Sequence, residues 1–202
     1  MPLEAKNISF RYGTGPWIIH NLSLSILPGD VVGLSGPSGC GKTTLARLLT
    51  GYWPTDAGTV LLDGQPLPRS GYCPAQLVSQ HPEQAVNPRW RLLDTLQEGY
   101  FPDEALLLDL GIKKEWLRRW PNELSAGELQ RFCVARALGP KTRFLLADEM
   151  TTMLDAVTQA QIWRAVLKIA GERRLGVLVT SHDEQLIKRL CNKRIIMAAE
   201  RI

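Results

Sequence analysis

Gly36-Pro37-Ser38-Gly39-Cys40-Gly41-Lys42-Thr43 is the stretch of this 202-residue chain whose reading decides its fold. It fits the spacing G-x-x-x-x-G-K-[S/T]. In such a loop the glycines let backbone N–H groups turn inward around phosphate oxygens. The context sharpens the match. Val31 to Leu34 is a short apolar run just before the loop, and Lys42 to Leu49 follows with Leu45, Leu48 and Leu49 at helical spacing. Strand, glycine loop and helix in that order suit the chemistry. The helix start adds the positive end of a dipole. Lys42 supplies a point charge for β- and γ-phosphates, and Thr43 a hydroxyl for Mg2+.

A second stretch complements the first. Phe144 to Ala147 is an apolar run that ends in Asp148 and Glu149. At the C-terminal end of a parallel strand such side chains face the ligand crevice. Asp148 suits holding Mg2+ through water, and Glu149 suits taking a proton from an attacking water. Leu175 to Val179 is a third run, and it leads to Ser181-His182-Asp183, which puts His182 at the same sheet edge. Leu124-Ser125-Ala126-Gly127-Glu128-Leu129-Gln130-Arg131 opens a helix. Ser125 with Glu128 three residues on reads as a capping box, and a Ser/Gly helix start is also an anion site.

Short apolar runs alternating with helical segments such as Val157 to Ile169 predict an α/β fold with parallel strands buried on both faces. In front of it, Ile8, Phe10 and Tyr12 alternate, as do Leu22, Leu24 and Ile26. That period predicts half-exposed antiparallel strands, followed by a turn at Leu27-Pro28-Gly29-Asp30. From His81 to Pro140 no strand-like run occurs, and Leu92, Leu93, Leu96, Ala105 to Leu108 and Leu110 carry helical spacing. The expectation is one domain over residues 1–202. The glycine loop resembles that of the P-loop NTPases, which implies a RecA-like core over 1–80 and 141–202, with an N-terminal antiparallel β section and an α-helical subdomain inserted at about 81–140.

Composition narrows the function classes. Hydrophobic content of 45% with 22% charged residues is that of a globular chain. Lys+Arg 24 against Asp+Glu 20 gives a net charge of +4, a mixed surface with no nucleic-acid footprint. Cys40, Cys73, Cys133 and Cys191 form no C-x-x-C pair, which points to a reducing compartment without a zinc site. No apolar window reaches 18 residues, and Met1 to Phe10 lacks the apolar region of a secretory signal.

The motifs, in this order, resemble those of the ATP-binding subunits of ABC transporters. Gly36 to Thr43 resembles the Walker A loop, Gln80 the Q-loop glutamine, and Leu124 to Gln130 the LSGGQ signature. Ala126 replaces the first signature glycine, and Glu128 the glutamine. Asp148 and Glu149 resemble Walker B with the catalytic glutamate. Thr152-Met153-Leu154-Asp155 resembles the D-loop, and His182 the H-loop histidine. The resemblance implies ATP and Mg2+ as cofactors. It implies nucleotide contacts from Tyr12 (stacking on adenine), Gly36, Pro37, Ser38, Gly39, Cys40, Gly41, Lys42, Thr43, Thr44, Gln80, Ser125, Gly127 and Asp155. Mg2+ is then expected at Thr43, Gln80 and Asp148, and catalysis from Glu149, His182 and Lys42.

Ser79-Gln80-His81-Pro82 followed by Val86-Asn87-Pro88-Arg89 is similar to the oligopeptide, dipeptide and nickel uptake subfamily. That likeness implies an importer for peptides, nickel or metal chelates at the cytoplasmic face of the inner membrane. The partners it implies are integral membrane permease subunits, a second ATPase protomer of the same or a related kind, and indirectly a substrate-binding protein, with no nucleic acid. In relatives the signature of one protomer caps the γ-phosphate bound by the other. The alternative is a soluble ABC ATPase acting on nucleic acid or ribosomes; those relatives carry tandem cassettes or long coiled coils. Two departures stand out. Met150 occupies the place of the usual proline, an expected change in how the D-loop leaves the site. The sequence also ends about twenty residues past His182, where relatives commonly continue. Trp90, Tyr100, Phe101, Trp116 and Trp120 fit either a docking interface or the core of the helical segment.

Overall fold

Helices and a second sheet cover the two faces of a five-stranded parallel sheet in the computed structural model, which describes residues 1–197. The chain begins with β1 (Leu3–Arg11) and β2 (Trp17–Ile26), paired antiparallel with Leu3 opposite Ile26 and Ala5 opposite Leu24. The expected turn follows, and the Asp30 N–H donates to the Leu27 carbonyl at 3.1 Å. Next, β3 (Val31–Ser35) runs through the glycine loop into α1 (Lys42–Leu49). The strands β4 (Ala57–Leu62) and β5 (Gln65–Pro66) return to the first sheet, whose order is β2-β1-β4-β5.

The chain then enters the parallel sheet with β6 (Ala75–Val78). After it come α2 (Leu92–Gln97), α3 (Glu104–Asp109) and α4 (Ala126–Ala137), with short 3-10 turns between them and no strand. The remainder is β7 (Phe144–Asp148), α5 (Ala156–Arg173), β8 (Gly176–Thr180), α6 (Glu184–Leu190) and β9 (Lys193–Ile196). The parallel order is β6-β7-β8-β3-β9.

The two-residue period of the strands divides the core between the faces. Leu145, Ala147, Val177 and Val179 point to the side covered by α4 and α5. Phe144, Leu146, Leu178, Val32 and Leu34 point to the side covered by α1 and the antiparallel sheet. Every residue of β7 and β8 is buried, which is why both read as continuous apolar runs.

The helices between β6 and β7 have no core of their own. Leu92, Leu96, Leu110 and Phe132 join the same cluster as Leu145 and Val177 of the sheet. Trp116 is buried in that cluster, whereas Trp90, Trp120 and Phe101 keep exposed faces, so the aromatic residues of this segment divide between core and surface. Among the described residues no helix is long and apolar enough to cross a membrane.

Candidate functional site

Parallel pairing puts the C-terminal ends of β3, β7 and β8 on one edge. Thr180 lies opposite Leu34 on one side and Asp148 on the other. The glycine loop, the Asp148-Glu149 pair and His182 therefore emerge side by side, as expected at the ligand edge of such a sheet.

The start of α1 differs from the other helix starts around it. Ser125, Asp155 and Asp183 each cap their helix, with a side-chain oxygen accepting backbone N–H groups. By contrast, α1 begins on Gly41, with φ of 99°, no side-chain cap and no acidic residue in its first turn. A glycine tolerates that left-handed backbone, and a bare helix start leaves N–H donors and the positive dipole end open to an anion. Lys42 is 5% exposed and bends back over the loop. Its Nζ donates to the carbonyls of Gly36 at 2.9 Å and Pro37 at 3.0 Å. Cys40 is buried beside it, Sγ 4.0 Å from Lys42 Nζ.

Asp148 is 5% exposed and accepts two hydroxyls on one oxygen. Thr180 Oγ1 donates to Asp148 Oδ1 at 2.7 Å, and Thr43 Oγ1 donates to the same atom at 3.2 Å. Thr180 Oγ1 also accepts the Glu149 N–H at 3.0 Å, so one hydroxyl sets both acidic residues. Thr180→Val removes that hydroxyl from a buried place and lowers stability by about 1–3 kcal/mol. A denaturant midpoint equal to the wild type would contradict this arrangement.

Glu149 has a φ of 50°, an uncommon left-handed backbone for a residue other than glycine. A following proline disfavours such backbones. Met150 removes that restriction, and its side chain is buried in the core behind β7. The Glu149 side chain meets His182, with Oε1 2.6 Å from Nε2.

Beside these groups lies a cavity of about 390 Å3 whose lining includes Ser38, Gly39, Gly41, Lys42, Thr43 and Thr44. Glu149, His182, Tyr12 and Ile18 also line it. Tyr12 lies just past the end of β1 and is half exposed. Its hydroxyl pairs with Thr44 Oγ1 at 3.1 Å. Its ring stands edge-on to Phe10 and Trp53, with centroids 5.2 and 5.5 Å away. Trp53 and Ile18 carry no motif, so the sequence does not single them out.

The remaining expected residues lie elsewhere. Gln80 follows β6 and, like Gly36, Pro37, Cys40 and Asp148, is not part of this cavity's lining. Ser125, Gly127 and Asp155 line a different cavity of about 670 Å3, together with Glu128 and Arg131. There Ser125 Oγ accepts the Glu128 N–H at 3.3 Å, and Glu128 Oε2 accepts the Ser125 N–H at 2.8 Å. Asp155 Oδ1 accepts the N–H groups of Thr158 at 2.9 Å and Val157 at 3.0 Å. The Thr158 backbone bond is the largest cause holding the Asp155 pKa below the usual value. Within one chain the signature turn is thus not part of the phosphate-loop cavity.

The family model described as ABC transporter matches residues 19–152. The oligopeptide transport ATP-binding protein OppF of Streptococcus mutans serotype c is 31% identical, over 96% of this chain and 71% of that protein. The nickel import system ATP-binding protein NikE of Staphylococcus aureus (strain bovine RF122) is also 31% identical, over 96% of this chain and 86% of that one. Among solved structures, an ATP-binding subunit of an ABC transporter superposes with a TM-score of 0.83 at 19% identity, covering 100% of this chain and 88% of the other. A dimeric structure of MJ0796, a bacterial ABC transporter cassette, gives 0.81 at 23% identity, covering 98% and 94%.

Proposed function

Since this chain belongs to the ABC transporter ATP-binding family, we propose that it binds and hydrolyses ATP as the motor subunit of an importer for peptides, nickel or metal chelates. The observation that carries the reading is the uncapped start of α1 under a buried lysine, on the same sheet edge as Glu149 and His182.

In this reading Gly36 to Thr44 wraps the triphosphate with backbone N–H groups. Lys42 turns from the loop carbonyls to the β- and γ-phosphates. Tyr12 offers its open ring face to the base, steadied by Thr44 and Trp53. The donors for Mg2+ are the hard oxygens of Thr43 and Asp148, already 3.2 Å apart, with Gln80 at the neighbouring strand end. Few protein oxygens suit this ion, which takes its other ligands from phosphate and water. Bound there, it would neutralise charge on the phosphates. Glu149 takes a proton from the attacking water, and His182 holds the carboxylate and faces the γ-phosphate.

Ser125, Gly127 and Asp155 act on the nucleotide of a second protomer. Their separate cavity supports this, since within one chain they do not join the phosphate loop. ATP then holds two chains together, and hydrolysis releases them. Ser125→Arg is expected to block ATP-dependent dimerisation. The monomer loses only an exposed cap, about 1 kcal/mol. A dimer that persists by light scattering would refute the cross-chain contact.

Residues 81–140 act as the inserted subdomain that meets the permease. A cavity of about 600 Å3 at its junction with β6, lined by Tyr52, Tyr72, Gln76, Glu98 and Arg136, offers the docking surface. The chain then works at the cytoplasmic face of the membrane, with a substrate-binding protein linked through the permease. Capture of the tagged chain from detergent-solubilised membranes should recover multi-span proteins. Recovery of ribosomes or DNA in their place would overturn the transport reading.

A further inference from the structure

Arg131 is a buried cation in the second turn of α4, 8% exposed. Its guanidinium joins three elements. Nη1 donates to the Leu110 carbonyl after α3 and to Gln161 Oε1 in α5 at 2.7 Å. Nη2 donates to Thr158 Oγ1, also in α5, at 3.2 Å. All of these acceptors are neutral, and Nε has no partner. Burial pulls the guanidinium pKa down, partly offset by the charges of Asp155 and Glu128.

The junction is tight. Gly111 has a φ of 66°, and a Cβ there would lie 2.5 Å from Gln161 Nε2 and 2.7 Å from Arg131 Nη1. One turn earlier in α4, a Cβ on Gly127 would touch Leu154 and Thr158 at 3.5 Å. Thr158 links the two ends. Its hydroxyl accepts from Arg131, and its backbone N–H donates to Asp155. A buried charge on neutral partners contributes little stability compared with an apolar side chain of the same volume. The planar fork of arginine does fix the angle between the groups it bridges.

We propose that Arg131 is a positioning residue: it fixes the start of α5, and with it Asp155, against the signature turn at Ser125 to Gly127, so that both meet the partner's triphosphate as one face. The proposal rests on the two-chain reading above. With Arg131 removed, the P-loop keeps its own contacts, but the signature turn and the Asp155 cap move independently.

The test is amide hydrogen exchange on the full chain, paired with steady-state ATPase kinetics. In Arg131→Met, exchange at the hydrogen-bonded amides 128–129 and 157–158 should rise about tenfold or more, while that at 45 stays unchanged. The kcat should fall about tenfold with the nucleotide affinity of the single chain unaltered. Arg131→Lys, which cannot reach all the acceptors, should fall between. Unchanged exchange at 157–158 overturns the proposal, and so does uniform acceleration along the whole chain, the mark of a merely structural role. If Arg131→Met does not fold, Gln161→Met removes one acceptor and should give the same local pattern; the same two results overturn it. The two-chain reading is judged separately, by an ATP-dependent dimer of Glu149→Gln. If no dimer forms, that reading fails, while exchange still decides whether Arg131 sets α5.

Discussion

Glu149→Gln should hold ATP and cease to turn it over. The Glu149 backbone is pinned through its N–H to the carbonyl of Thr180 at 3.2 Å and to the Thr180 hydroxyl at 3.0 Å. Its side chain is 14% exposed and engaged with His182 at 2.6 Å. Glutamine has the same shape, and its amide oxygen can still accept from His182. What it lacks is the ability to take a proton. A positioned general base contributes about 10²–10⁴-fold in rate, so steady phosphate release should fall by that factor. Nucleotide binding should remain, because Lys42 and the loop N–H groups are untouched. Release at the wild-type rate would remove Glu149 from the role of base.

Lys42→Ala should act earlier in the cycle. Lys42 is buried, and two loop carbonyls hold its ammonium beside the cavity that the glycine loop lines. Alanine removes the one lysine in that lining and also the brace across the loop. Bonds to charged groups contribute about 1.5–3 kcal/mol each, so losing one phosphate contact weakens ATP binding about tenfold to a hundredfold. Turnover falls with it. Titration of a fluorescent ATP analogue reads the affinity directly, and an unaltered value would exclude Lys42 from the phosphates. The two substitutions separate binding from chemistry, since only the second should reduce affinity.

Much of this was legible in the sequence for definite reasons. The strands β3, β7 and β8 are buried on both faces, so their apolar runs stand out. The glycine loop shows because a turn into a bare helix start demands particular residues at fixed spacing, and α1 spans Lys42–Leu49 as the pattern predicts. Other strands were silent. Gln76 interrupts β6, which has only four residues, and β9 is an edge strand carrying Lys193 and Arg194. β6 offers no unbroken apolar run to read, β9 contributes only Ile195 and Ile196 after two charged residues, and β4 opens with an exposed Ala57-Gly58.

The same contrast holds in the site. Asp148, Glu149 and His182 follow apolar strands, so their place at the sheet edge could be read. Thr180 could not, because a threonine at the end of a buried strand looks like any other β-former. Its hydroxyl matters only through the register that sets it opposite Asp148. Met150 showed as a departure from the usual proline, whereas the left-handed backbone of Glu149 just before it appears only in the structure. Arg131 reads as one more charged residue until its partners on α5 and after α3 are seen.

The most direct measurement is a structure of Glu149→Gln grown with saturating ATP. A shared site requires each triphosphate to lie between Gly36 to Thr43 of one chain and Ser125 to Gly127 of the other, with Tyr12 against the base. A nucleotide held by the loop of one chain alone, with Ser125 facing solvent, would contradict it.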